Sequence, residues 1–411
     1  MKNFSAIRPV RDASVRADAL LNENISGKMI AYASALVVVS AVIILFGMVM
    51  LYSASYHTDG TYYFTMQLIW LAASSVVGIA AFFAGYKMLA EYSVFLLFIL
   101  AVLLVVAFTC YEPVNGAYRW LRFDLHFIKI SIQPSELVKV IVPLYVGKYC
   151  ADNFRNSVNM FGKHGAWNPV AVTAFMCGLV FLGKDLGTTL LIFMVMAVML
   201  FVAGLKLRYY LPVIPAAIAG FFAIKAFSPF RWDRLTSFLN PEMYQQDTGY
   251  QLWLSILALG SGSWTGVGFM ESRMKAAYLP ERHTDFILSV IGEELGFIAM
   301  IGVITAYLLF FYFALKISCN ARTRQGLYTG VGLAVTIVFQ ALINIGVVSG
   351  ALPTKGIPAP LLSYGGSSLL MFGIALGILL NIAADTVSPD FNQQMWSRFS
   401  NRFKKKKKNK S

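Results

Sequence analysis

Residues Tyr278–Leu315 read YLPERHTDFILSVIGEELGFIAMIGVITAYLLFFYFAL. The front of the stretch is polar, and the rest is an apolar run that can only be a membrane helix. At the seam stand His283, Thr284 and Asp285, with Glu281 and Arg282 just upstream. Thr284 or Asp285 suits the N-cap of the following helix, because a short side-chain oxygen can accept a first-turn N–H. A carboxylate at a helix N-terminus is also favoured electrostatically, so Asp285 is expected to stay ionised near neutral pH. An ionised carboxylate beside basic residues and a histidine at a membrane surface suits a general base. The plainer alternative is a cap with no further role.

Working outward, the chain of 411 residues is 58% hydrophobic and 13% charged, about half the charge of a soluble globular protein. Apolar runs near span length recur throughout, which excludes a soluble enzyme and predicts an all-α polytopic membrane protein of about ten transmembrane helices. The spans fall at about 30–51, 64–84, 93–110, 134–149, 169–183, 188–204, 209–228, 286–315, 328–350 and 361–385. The first 27 residues are polar and the first apolar run is long enough to span, so no cleavable signal peptide is expected. The layout is a basic tail over 1–29, a transmembrane domain over 30–386 with a large outer loop at about 229–285 between helices 7 and 8, and a polybasic tail over 387–411.

The formal net charge of +14 sits mostly in the tails and in short loops on one side, including the Lys404–Lys408 run. That distribution places both termini in the cytoplasm and suits anionic lipid better than nucleic acid. The four cysteines (Cys110, Cys150, Cys177, Cys319) show no paired or CxxC spacing and read as packing residues. Four histidines give no metal-ligand spacing, and no metal ligand is assigned.

The unusual sequences collect on the opposite, outer face. Tyr111–Gln133 carries Arg119 beside Trp120, either a phosphate contact or a snorkelling anchor. In IQPSELVK, Pro134 suits the first turn of a helix that sets Glu136 and Lys139 three apart on one face, as a structural ion pair or as the lining of a polar cavity. In GKDLGTTLL two glycines suit a reversal, and Asp185 suits the cap of the next helix. Gly249–Leu259 is amphipathic and suggests a helix lying in the interface. Gly260–Gly268 is a weak signal for a phosphate cradle. Arg231, Arg234, Arg273, Lys275 and Arg282 make this face basic, as an anionic, phosphate-bearing lipid substrate requires. Three prolines and Lys355 between spans nine and ten suit a re-entrant or extended segment buried in protein, and SYGGSS allows close helix approach.

QPSELVK, DLGT, GYQLxxS, YLPERHTDF…GEELG and LPTKGIPAPLLSYGGSS, in this order over about residues 30–386, resemble the SEDS family, the FtsW, RodA and SpoVE polymerases of bacterial peptidoglycan. The closing motif is most similar to the FtsW branch of septal cell-wall synthesis, with a RodA-like elongation polymerase as the alternative. The resemblance implies a glycosyltransferase that polymerises lipid II at the outer face of the cytoplasmic membrane, with Asp285 as the catalytic acidic residue. It implies that the Glu136–Lys139 pair matters for activity and that cations hold the leaving diphosphate. Candidates for that role are Arg119, Lys355, Arg273 and Lys275, with His283 beside them at the substrate. It leaves room for a divalent cation (Mg or Mn) with no assigned site. It implies a class B penicillin-binding protein transpeptidase as partner, together with other division or elongation proteins. Two departures stand out: Gly183-Lys184 replaces the usual Gln/Glu-Pro ahead of DLGT, and Met270–Lys275 replaces GNSxQK with Lys275 left in register. A lipid II flippase is the competing class, since embedded charges and prolines suit a discontinuous-helix site. A non-catalytic division scaffold is the third reading.

Overall fold

The computed structural model describes residues 7–111, 117–125, 128–212, 236–246, 249–277, 279–354 and 356–389, with isolated positions among 213–235 and 390–397. Most of the expected seventh span, Arg231, Arg234, Lys355 and the Lys404–Lys408 run lie outside the described residues.

The first helix, α1 (Ile7–Asp59), is 53 residues long, and its apolar part, Ile25–Tyr56, is long enough to cross a membrane. It continues without a break through the polar N-terminal tail. After it come α2 (Tyr62–Ala84), the short α3 (Tyr86–Glu91) and α4 (Ser93–Cys110). The segment expected as a plain outer connection contains a two-stranded antiparallel hairpin, β1 (Leu121–Leu125) and β2 (Ile128–Ile132), with Leu121 opposite Ile132. Apolar and polar residues alternate through LRFDL and IKISI, which is the strand period rather than the helical one. Then come α5 (Pro134–Asp152), with Pro134 in its first turn as expected, α6 (Trp167–Leu182) and α7 (Leu186–Val202).

Beyond the large connection lie α8 (Tyr250–Gly262), α9 (Arg273–Ala277), α10 (Ile287–Cys319), α11 (Arg324–Val348) and α12 (Gly366–Val387). Among the described residues six helices are long and apolar enough to span, with α6 and α7 as shorter apolar helices. α5 is more polar, and it is buried on nearly every side.

Small residues decide where helices touch. Ser74 and Gly78 of α2 face Gly373 and Gly377 of α12, both pairs four apart. A Cβ on Gly78 would lie 2.7 Å from the Gly373 carbonyl oxygen, so this crossing brings backbone against backbone. α8 buries Leu252, Leu254, Ser255 and Ala258 and packs on α10.

The glycine-rich run Gly260–Gly268, which begins in the last turn of α8, serves that same packing. α10 breaks at Gly296 (φ 75°), the left-handed region in which glycine carries no steric penalty. The loop fills the break: Val267 N donates to Glu293 O (2.9 Å), Gly268 N to Glu294 O (3.1 Å), Phe297 N to Ser263 O (2.9 Å) and Ile298 N to Trp264 O (3.2 Å). These bonds satisfy backbone groups that a helix interruption would leave bare.

Candidate active site

The motif segments, scattered over the sequence, converge on one polar centre. Asp185 caps α7 as expected, its Oδ1 accepting from Thr188 N (3.1 Å). The same carboxylate accepts from Gln133 Nε2 (2.8 Å) and lies 3.8 Å from Arg119 Nη1. Gln133 N donates to Ser367 Oγ (2.9 Å), so the segment ahead of α5 is tied to the start of α12. The tight reversal before α7 uses Lys184 at φ 64°, not a glycine. Its N–H donates to Phe181 O (2.9 Å) and that of Asp185 to Val180 O (3.3 Å), which closes α6. The Lys184 ammonium lies over the Tyr118 ring, so the departure from the family pattern is accommodated locally.

Asp285 sits at the end of a run of turns ahead of α10, and each neighbour is pinned separately. Arg282 Nε donates to Ala54 O on α1 (2.9 Å). His283 stacks on Tyr63 with ring centres 4.1 Å apart, and its carbonyl accepts from Tyr364 N (2.8 Å). Thr284 Oγ1 donates to Glu281 Oε2 (2.8 Å). The Asp285 carbonyl accepts from Asn344 Nδ2 of α11 (2.8 Å).

Two expectations about Asp285 change here. The helix cap is Phe286, with no side-chain capping bond, so neither Thr284 nor Asp285 is the cap. The carboxyl is not held as an ordinary anion either. Protein atoms crowd it, and burial, then the Glu281 carboxylate, push its pKa up to about 7, against a lowering pull from Arg119. Burial also lowers the pKa of His283, which favours the neutral ring.

Arg119 and Asp285 meet across Gly356. A Cβ built on Gly356 would lie 3.1 Å from Arg119 Nη2 and 3.2 Å from Asp285 Oδ2. A methyl group there would press on both side chains, so glycine lets the backbone of the 353–359 segment run close to the two groups at 356. That segment and the turn after it bury Ile357 and Ala359–Ser363 in protein, as expected of non-helical backbone between two spans.

Other sequence candidates lie apart from this centre. Lys275 is buried in an ion pair with Glu294 and donates to Ser53 Oγ (2.9 Å), so its charge is already met and it has no ammonium to offer a phosphate. Beside it Glu293 accepts from Ser272 Oγ and from Arg273 N, while the Arg273 side chain is exposed. Glu136 and Lys139 form the expected buried pair (2.7 Å), and Lys139 also donates to Gln340 Oε1 (2.7 Å). Gln340 and Asn344, buried amides four residues apart on an apolar helix, are the residues that sequence reading missed. Polar side chains at helical spacing inside a span were the available signal. Among the described residues no group of three or more His, Cys, Asp or Glu is placed to hold a metal ion.

A half-buried carboxyl opposite a guanidinium, at the end of a membrane helix, suits chemistry that takes a proton from a hydroxyl while negative charge grows on a phosphate. The profile of the FtsW/RodA/SpoVE family, described as cell cycle protein, matches residues 33–388. The probable peptidoglycan glycosyltransferase FtsW of Trichlorobacter lovleyi is 37% identical over 348 residues, covering 82% of this chain and 90% of that protein. The corresponding Coxiella burnetii protein is 36% identical over 330 residues, covering 79% and 87%. A chain of a peptidoglycan synthase complex that coordinates polymerization and crosslinking superposes with a TM-score of 0.73 at 26% identity, covering 86% of this chain and 98% of that one. The rod shape determining protein RodA of Thermus thermophilus superposes with a TM-score of 0.62 at 25% identity, covering 85% and 96%.

Proposed function

We infer the workings of this chain from what it is: it belongs to the FtsW/RodA/SpoVE family, and it is a multi-pass membrane peptidoglycan glycosyltransferase of the FtsW-like kind. Its substrate in this reading is lipid II, polymerised at the outer face of the bacterial cytoplasmic membrane, at the division septum. Both termini then lie in the cytoplasm, which the positive charge of the tails supports.

The observation that carries the mechanism is the approach of Asp285 and Arg119 across Gly356. Asp285, ionised, takes the proton of the acceptor sugar's 4-hydroxyl. The freed oxygen attacks the anomeric carbon of the donor, the bond to the lipid diphosphate breaks, and the diphosphate leaves with the electron pair. The linkage inverts from α to β, and Asp285 then releases its proton to water. A base whose pKa is near the working pH combines basicity with a large ionised fraction, so the raised value suits the task better than an ordinary carboxylate. Arg119 steadies the leaving charge through its guanidinium, which is partly accessible and lies 3.8 Å from Asp185 Oδ1. Lys355 and Arg273 are further candidates for the diphosphate. A divalent cation, in this reading, would be held by carboxylates together with the substrate's phosphates and would offset the charge of the leaving diphosphate.

The partner is a transpeptidase of the class B penicillin-binding type. Support comes from the structural neighbour, which belongs to a complex that both polymerizes and crosslinks. The test uses purified chain, co-expressed with that partner and given labelled lipid II. Glycan strands are expected from the wild type and none from folded Asp285→Asn. Equal polymer from both would remove Asp285 from the chemistry.

A further inference from the structure

The established activity leaves two buried amides of α11 without a role, and they grip the backbone on both sides of the site. Asn344 Nδ2 donates to the Asp285 carbonyl (2.8 Å) and to the Ile357 carbonyl (2.8 Å). One turn earlier on the same face, Gln340 Nε2 donates to the Pro358 carbonyl (3.0 Å). Both side chains are essentially fully buried.

The direction of the Gln340 amide is set from outside. Lys139 has donors only, so its 2.7 Å contact requires the amide oxygen on its side and turns the amide nitrogen toward Pro358. Lys139 is in turn held by Glu136. A polar path therefore runs from Glu136 through Lys139 and Gln340 to the segment that carries Gly356, and Asn344 joins that segment to the Asp285 loop. Non-helical backbone has no ladder of its own, and a buried carbonyl without a donor is costly, so these amides fix where both segments stand.

We propose that Gln340 and Asn344 are positioning residues that set the Asp285–Arg119 geometry, and that the Glu136–Lys139 pair acts on catalysis through Gln340 without touching substrate. This rests on the reading of Asp285 as the base.

The test compares the full chain with its co-expressed transpeptidase in wild-type, Asn344→Asp, Gln340→Glu and Asp285→Asn forms, on labelled lipid II over a pH series. Asn344→Asp keeps the shape of the side chain and removes both donors. Gln340→Glu keeps the acceptor for Lys139 and removes the donor to Pro358. Asn344→Ala and Gln340→Met serve where an isosteric variant yields too little protein, and rates are expressed per folded molecule from a thermal-unfolding trace. Small displacements of reacting groups cost up to about 100-fold, so kcat is expected to fall about 10–100-fold in both variants while KM stays within about threefold. In Asn344→Asp the added negative charge also moves the rising limb of the pH–rate profile upward. Wild-type kcat per folded molecule would reduce the amides to fold-holding groups and overturn the inference. A rise in KM alone would place them on the substrate and overturn it equally. Undiminished polymer from Asp285→Asn would instead sink the reading of the base.

Discussion

The rate of polymer formation should follow the ionisation of Asp285, and its two charged neighbours should move that ionisation in opposite directions. With a pKa of about 7, kcat/KM is expected to rise through neutral pH. About one-tenth of the enzyme is active at pH 6, half at pH 7 and nine-tenths at pH 8. Arg119 Nη2 and Asp285 Oδ2 lie 3.1 and 3.2 Å from the same point, so the charges are within about 6 Å of each other. At an effective dielectric constant of about 20 that is an interaction of roughly 3 kcal/mol, or about two pKa units. Asp185, 3.8 Å from the guanidinium, offsets part of it. Arg119→Met is therefore expected to move the limb upward by about one to two units, besides lowering the maximum through the lost phosphate contact. Glu281 raises the Asp285 value by more than Arg119 lowers it, so Glu281→Gln should move the limb downward by at least as much as Arg119→Met moves it upward. The assay is initial-rate polymerisation of labelled lipid II between pH 5.5 and 9, with protein integrity checked at each pH. A flat profile, or a shift of both variants in the same direction, would refute the assignment of the limb to Asp285.

Three further outcomes follow from the same geometry. A carboxyl whose pKa is about 7 when folded and 3.8 when free favours folding fully below the lower value, and that contribution is lost as pH rises through the upper one. Asp285→Asn should therefore raise thermal stability at pH 8 by up to roughly 4 kcal/mol, with a smaller gain at pH 5, as read by unfolding in detergent. Lys275→Met strands the buried Glu294 and should cost roughly 3–5 kcal/mol, mostly recovered in Lys275→Met/Glu294→Leu. Unchanged stability with a raised KM would show Lys275 serving substrate instead. Gly356→Ala puts a methyl between Arg119 and Asp285 and should lower kcat about 10–100-fold at wild-type thermal stability, measured by the same polymer assay.

The sequence reading reached the spans because hydrocarbon solvation acts over twenty residues at a time, and composition alone records it. Asp285 drew notice as a carboxylate at the seam of a polar loop and an apolar helix, and the structure sets it across Gly356 from Arg119. Its ionisation was misjudged, since the N-terminal dipole argument looks only along its own helix. The burial and the Glu281 and Arg119 charges that decide the matter come from the surrounding turn and from a loop 166 positions earlier. The ion pair of Lys275 was hidden for the same reason: the residue stood in register with a motif, but its partner Glu294 faces it only after α10 and the preceding loop pack together. Gln340 and Asn344 went unread because one span in isolation shows two polar residues without showing the carbonyls they meet. Asp185 as a cap was read correctly, because capping is settled within three residues.

The break in α10 also bears on how the chain is made. Residues 263–268 leave the ribosome about thirty positions before Gly296, the break that they fill. A break in a spanning helix frees N–H and C=O groups around Gly296 that need protein partners. Those partners exist only if the earlier loop and the start of α10 have emerged on the same side of the membrane. The four hydrogen bonds at this joint thus close between stretches about thirty residues apart, so the break is completed by neighbouring chain and needs no later helix.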